Sequence, residues 1–127
     1  MVKTSLVSPD IEKGAEILRS FDASHLKVPV FLWASTEEHE DWRLVVAARK
    51  FDQLGVSEAH GYIREILAPK GLDAKNTPTI MILRTTDPFI KELRRTFGKS
   101  KDTEGMRLGG QLIGDRFIQD AYVYRIA

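Results

Sequence analysis

The chain has 127 residues, 43% of them hydrophobic and 29% charged, which is enough for one ordinary core, and no linker separates a second domain. Its 19 Lys and Arg against 18 Asp and Glu give a net charge of +1. The molecule as a whole therefore has no strong positive field that would attract nucleic acid or an acidic membrane. The absence of cysteine excludes disulfides, thiolate metal sites and cysteine nucleophiles. We therefore predict a single α+β domain over residues 1–127.

The first predicted element is a helix from about Pro9 to Asp22. Ser8 can cap its start, Pro9 fits the first helical position, and Asp10 places a carboxylate in the first turn. The apolar residues that follow recur at helical spacing, at Ile11, Ala15, Leu18 and Phe21.

The segment from Val28 to Ala48 predicts a β-hairpin that organises the rest of the chain. Two apolar runs rich in β-branched and aromatic residues flank the polar connector Thr36–Glu40. In the first run, one face carries Val28, Val30, Leu32 and Ala34, and the other carries Phe31 and Trp33. In the second run, Trp42, Leu44, Val46 and Ala48 alternate with Arg43, Val45 and Ala47. Because both faces are apolar, we expect both to be covered.

The middle of the chain predicts one more helix and one more strand. Residues 49–55 read as irregular, after which Ser57 begins a second helix that Pro69 ends. A surface connection then leads to a third strand, Thr79–Leu83. Its apolar residues point to both faces, which indicates an internal position in the sheet.

The last third predicts a helix and a second hairpin. Asp87-Pro88 begins a third helix, which ends at Gly98. Residues 107–113 and 117–126 flank the turn Gly114-Asp115. In the last strand Ile118, Asp120, Tyr122, Tyr124 and Ile126 alternate with Gln119, Ala121, Val123 and Arg125. The resulting order αββαβαββ predicts a mixed, mostly antiparallel sheet with two hairpins and three helices packed on it.

The hairpin connector is a candidate cation site. Four carboxylates and one imidazole occupy five positions, at Glu37, Glu38, His39, Glu40 and Asp41. A solvated hairpin tip is the interpretation we favour, since a turn offers few neighbours to hold metal ligands. The D-x-K segment at residues 73–75 and the G-K-S at residues 98–100 lack the surrounding elements of a nuclease or phosphate loop. We therefore predict no metal site, no cofactor and no assigned catalytic residue.

The third helix carries a basic stripe. Lys91, Arg94 and Arg95 lie at i, i+3 and i+4, and Lys99 follows, so one surface can bring several cations within reach of phosphates. Residues 91–101 hold five basic side chains against one acid. The competing interpretation is a solvated helix face whose cations lie near the C-terminal end, where the helix dipole favours them.

A polar site is a second candidate. Asp120 lies among aromatic residues of the last strand, next but one to Tyr122. If that face is buried, the carboxylate needs a partner, for which Arg43 or Arg125 is available. We take Arg43, Asp120 and Tyr122 as a candidate polar site, with a catalytic acid as its sharper interpretation.

Several short stretches carry a resemblance, namely Trp33, Trp42–Val45, Glu58-Ala59, Tyr62, Asp87-Pro88 and Asp120–Arg125. Together they resemble a group of small uncharacterised bacterial proteins with a tryptophan-rich hairpin. The resemblance spans most of the chain. It implies a bacterial source and brings no activity, cofactor or site residue.

We expect a non-enzymatic binding or interaction domain that forms a homodimer along an exposed strand edge or aromatic patch. Nucleic-acid binding through the third helix, and a small metal-dependent hydrolase or nuclease built on Asp120 or the connector, are the alternatives. His25 and His60 are single histidines, which are more often structural than catalytic. The first seven residues lack the apolar core of a signal peptide and no run of about 18 apolar residues follows, so we expect a cytoplasmic protein without a membrane partner.

Overall fold

A computed structural model describes residues 6–36, 39–72, 77–100 and 103–127, with the side chains of residues 39 and 40 outside that description. The helices are α1 (Ser8–Ala23), α2 (Arg49–Asp52), α3 (Val56–Leu67) and α4 (Pro88–Phe97). The strands are β1 (Val30–Thr36), β2 (His39–Ala47), β3 (Ile80–Leu83), β4 (Arg107–Ile113) and β5 (Arg116–Ile126). A short 3₁₀ helix, Ala68–Lys70, extends α3. Within the described ranges, no helix has the length and apolar content needed to cross a bilayer.

The strands form one sheet in the order β3-β2-β1-β5-β4. β2 and β3 are parallel, and the other neighbouring strands are antiparallel, with hairpins at β1-β2 and β4-β5. The predicted α+β fold with a mixed, mostly antiparallel sheet is confirmed. Two local predictions are wrong. β3 is an edge strand rather than an internal one, and the segment after β2, predicted to be irregular, begins with the one-turn helix α2.

Helices cover both faces of the sheet, as the two apolar faces of the first hairpin predict. On one face, α1, α2 and α3 pack on Phe31, Trp33, Trp42, Leu44 and Val46. On the other face, α4 packs on Val30, Leu32, Ala34, Val45 and Ala47. The predicted division of the strand residues is confirmed, except that Val28 precedes β1 and lies in the first core rather than the second.

The alternation predicted for the last strand is wrong at both ends. The pairing of β1 with β5 shifts register twice, between Phe31 and Leu32 and between Ser35 and Thr36. Each shift inserts one extra residue into β5, so the side chains beyond it change face. One core takes Ile118, Ala121, Val123 and Ile126, and the other takes Tyr122 and Tyr124.

The first turns of α1 and α4 show which of the predicted N-cap residues cap their helices. Asp87 caps α4 as predicted, because its Oδ1 accepts the backbone N–H of Phe89 at 2.9 Å. α1 begins one residue earlier than expected, with Val7 at the N-cap position instead of Ser8. The backbone N–H of Val7 bonds a side chain in the first turn of the helix, since the carboxylate of Asp10 accepts it at 3.1 Å.

A buried hydrogen-bonded chain fastens α1 to the sheet. Trp33 Nε1 donates to the hydroxyl of Tyr124 at 3.0 Å, and that hydroxyl donates to the carbonyl of Ile11 at 2.6 Å. Gly14 makes room for this contact, because a β-carbon there would lie 2.7 Å from Tyr124 Cζ. The approach of α1 to β5 therefore depends on a glycine in the middle of a helix.

Gly14→Ala should destabilise the fold, although alanine is the better helix former. The added methyl group has to displace the buried Tyr124 ring, which costs about 1–3 kcal/mol of unfolding free energy. Gly61→Ala in α3 is the matched control, because the nearest atom to a β-carbon there is Arg64 Nη2 at 3.7 Å. It should stabilise by about 0.5–1 kcal/mol. Chemical denaturation measures both, and equal effects of the two substitutions would contradict this account of α1.

Tyr124 should also make stability depend on alkaline pH. Burial raises the pKa of Tyr124 to about 12, whereas an unfolded tyrosine ionises at about 10. The neutral hydroxyl therefore stabilises the fold fully below pH ~10, and this stability is lost as the pH rises to ~12. Denaturation at pH 9 to 12 should show a loss on the order of 2 kcal/mol, and Tyr124→Phe should remove the tyrosine part of that slope. An unchanged slope in the variant would rule this out.

Candidate functional site

The elements of the fold bring basic residues together at one end of the sheet. β2 and β5 both run antiparallel to β1, so both finish where β1 begins. α1 ends just before β1, and α2 starts directly after β2. The last turn of α4 reaches the same end, where Arg94 Nε donates to the carbonyl of Ala127 at 2.9 Å.

Two adjoining cavities open at this end, and we call them together the basic cleft. The larger has a volume of about 850 Å³ and is lined by Asp22, His25, Leu26, Lys27, Val28, Pro29, Arg49, Lys50, Tyr62, Arg94, Arg125 and Ala127. The smaller has a volume of about 450 Å³ and is lined by Thr85, Lys91, Arg94, Arg95, Gly98, Lys99 and Ala127. Arg94 and Ala127 belong to both, so the two cavities lie side by side.

The cleft is strongly cationic although the chain is nearly neutral. Its lining contains eight Lys and Arg side chains and one acidic side chain, that of Asp22. The whole chain has 19 basic and 18 acidic residues, so the fold has separated charges that are balanced along the sequence. A cleft lined by one sign of charge concentrates the field and attracts anions.

Two of these cations are held by carboxylates and form fixed parts of the wall. Arg125 donates to both oxygens of Asp22, at 2.9 and 3.0 Å, and this hydrogen bonding raises the pKa of Arg125. Arg95 donates to Glu92 with Nε at 2.9 Å, and that bond holds the pKa of Glu92 below its ordinary value. Each pair cancels most of its own charge, so these residues shape the cleft more than they charge it.

In the described ranges, the six remaining cations form no salt bridge, although Arg94 donates through Nε to the carbonyl of Ala127. Within the described part of the chain, no salt bridge engages Lys27, Arg49, Lys50, Lys91, Arg94 or Lys99. All six are exposed. They come from the segment before β1, from α2, and from α4 and the residues just after it, so they surround the cleft on more than one side.

The cleft also contains an aromatic ring. Tyr62 of α3 is half-buried, and its ring meets that of Phe51 edge to face at 6.1 Å between centroids. The ammonium of Lys50 lies 5.4 Å from the Tyr62 centroid, a cation–π contact. A ring held in this way offers a planar surface among cations.

The structure brings together the four basic residues predicted on the third helix. Lys91, Arg94, Arg95 and Lys99 all line the smaller cavity. The sequence missed the rest of the cleft, namely Lys27, Arg49, Lys50, Tyr62 and Arg125. One signal was present, because Arg49-Lys50 directly follows one strand and Arg125 ends another. It could be used only with the knowledge that β2 and β5 flank the same strand.

The predicted polar site is not assembled. Asp120 bonds neither Arg43 nor Arg125, because Arg107 donates to its Oδ2 at 2.7 Å and the Ala121 N–H to its Oδ1 at 2.8 Å. Arg107 also lies 6.0 Å from the Tyr122 ring. Arg43 points to the opposite face of the sheet, with Val45. The turn at residues 114–115 sets the β4-β5 register, so it could have predicted Arg107 as the partner.

The other sequence candidates give no site that can be described. Glu37, Glu38 and the D-x-K segment at residues 73–75 lie outside the described residues, and so do the side chains of His39 and Glu40. In the described ranges, no three His, Asp or Glu side chains form a group that could hold a metal ion.

Comparison of the chain with family models, with curated proteins and with solved structures finds no match. The resemblance to small bacterial proteins stays a prediction. Fold and site define an α+β domain with a basic cleft at one end of its sheet, and the function has to be argued from the chemistry of that cleft.

Proposed function

We propose that this protein is a non-enzymatic domain that binds nucleic acid through the basic cleft. The observation that carries the proposal is the concentration of eight of the chain's 19 cations around one cleft whose lining has a single acidic side chain. Binding to phosphates with release of counterions is the interaction that such a surface favours.

A chain of phosphates fits the cleft better than a single small anion. The available cations are spread over two adjacent cavities with volumes of about 850 and 450 Å³. Their side chains are exposed and long, which suits the transient contacts of a phosphate backbone. A single phosphate would use only two or three of these groups and leave the others unengaged.

The substitution of Arg49 and Arg94 by alanine should weaken nucleic-acid binding and its dependence on salt. Each lost phosphate contact removes about 0.7–0.9 from the slope of log K against log salt concentration, so the double variant should lose about 1.5. Fluorescence anisotropy with a labelled oligonucleotide at 50 to 200 mM salt measures both quantities.

Lys13→Ala with Lys70→Ala is the matched control, because neither residue lines the cleft. This double variant removes the same number of positive charges and should bind almost as the parent protein does. If both double variants lose affinity equally, or if affinity does not change with salt, nucleic-acid binding by the cleft is wrong.

A homodimer through the free edge of β4 is a second proposal, compatible with the first. Leu112 is 69% exposed and its cross-strand neighbour Phe117 is 39% exposed, so an apolar pair lies beside an unpaired strand edge. A second copy that adds its own β4 would pair both edges and cover both apolar pairs. The basic cleft lies at the other end of β5 from Phe117, so it would stay open.

Light scattering after gel filtration tests the dimer at micromolar concentration. The parent chain should have about twice its mass of 14.4 kDa, and Leu112→Lys should reduce it to a monomer. Val56→Lys is the control, since Val56 is 72% exposed but starts α3 away from β4. A parent chain that elutes as a monomer would end this proposal.

A further inference from the structure

The basic cleft presents two planar side chains together with its cations, Tyr62 on α3 and His25 after α1. We propose that it binds a single strand of nucleic acid rather than a duplex, with its cations on the phosphates and one base against Tyr62 and His25. This inference rests on the proposed function above and adds the class of strand that the cleft selects.

Tyr62 is arranged as a stacking surface. The Phe51 and Tyr62 rings pack against each other at an interplanar angle of 75°, so Phe51 restricts the orientation of the Tyr62 ring. The ammonium of Lys50 lies over the ring. A base that stacks there takes the place of the ammonium, and the flexible lysine keeps its charge in the cleft, where it can meet the phosphate of the same nucleotide.

His25 lies in the wall of the cleft, at a backbone position where glycine is the usual residue. α1 ends in a Schellman motif, in which the His25 N–H bonds the carbonyl of Asp22 at 3.0 Å and the Leu26 N–H bonds that of Phe21 at 3.0 Å. The residue at this position adopts a left-handed conformation and is usually glycine. Here it is His25 with φ 62°, and among the described residues it is the one non-glycine residue with positive φ. His25 lines the larger cavity, so this conformation places an exposed imidazole at the wall of the cleft.

The two rings favour a single strand over a duplex as the matching ligand. In a duplex the faces of the bases are stacked on one another, so none is free to lie on a protein ring. In a single strand each base can turn away from its neighbours while the backbone follows the cations. The larger cavity, about 850 Å³, holds both rings and five of the cations, so a phosphate and its base can occupy it together.

The test compares three labelled or competing probes, a dT12 oligonucleotide, a duplex of 12 base pairs and inorganic polyphosphate. The parent protein should bind dT12 at least about 5-fold more tightly than the duplex, which is the low end of what one stacked base contributes. Tyr62→Leu should lower the affinity for dT12 by at least about 5-fold and the affinity for polyphosphate by less than about 2-fold. Tyr62→Phe keeps the ring and should bind both probes as the parent protein does.

His25 is tested with two variants that tolerate its backbone conformation. His25→Gly should raise the Tm by about 2–5 °C, because glycine removes the strain, and yet weaken dT12 binding. His25→Asn accepts the left-handed conformation but lacks the imidazole, so it should weaken binding as well. A merely structural residue would show the rise in Tm with unchanged affinity, and that result would overturn the role of His25.

The outcomes separate the two proposals. If neither dT12 nor the duplex binds, the proposed function itself is wrong, whether or not polyphosphate binds. If dT12 and the duplex bind equally and Tyr62→Leu does not discriminate between dT12 and polyphosphate, the protein binds phosphate chains and the single-strand inference is wrong.

Discussion

The structure depends on a central strand that is buried on both faces. Val30, Phe31 and Leu32 of β1 are fully inaccessible, with neighbouring strands on both sides and helices above and below. Both neighbours of β1 are antiparallel to it, so their ends meet where β1 starts. The residues that follow β2, end β5 and precede β1 therefore have to share one end of the sheet. The basic cleft is a consequence of this arrangement and not of any local sequence motif.

Two polar contacts fix the helices that complete the cleft. The hydrogen-bonded chain from Trp33 through Tyr124 to Ile11 holds α1 against the sheet, which places the end of α1 at the cleft. At α2, Asp52 accepts hydrogen bonds from both the N–H and the hydroxyl of Thr85, in the segment between β3 and α4. These hydrogen bonds connect α2, on one face of the sheet, to the segment that leads into α4 on the other face. Cations from both layers are thereby held around one opening.

The sequence predicts the individual helices and strands better than it predicts which strands pair with one another. Period-two alternation assigned the faces of the first hairpin, and the Asp87 cap placed the start of α4, because both depend on local chemistry. β3 was misplaced because an edge strand with helices on both faces is as apolar as an internal one. The two bulges in β5 arise from its pairing with β1, which no local pattern encodes. For the same reason four cations of the third helix were predicted and those from distant segments were missed.

Net charge is a poor guide to this surface because charge interactions in salt act over about 8 Å. A total of +1 indicates no electrostatic partner, yet the lining of the cleft contains eight basic side chains and one acidic side chain. The Asp22–Arg125 and Glu92–Arg95 pairs neutralise two of them and give the wall its shape, and the six others keep their charge for a ligand. Affinity then depends on the available cations, whereas the choice between kinds of strand depends on the uncharged faces beside them. In the binding mode that we propose, this separation of roles lets a cleft with Tyr62 and His25 in its wall distinguish polyanions of equal charge.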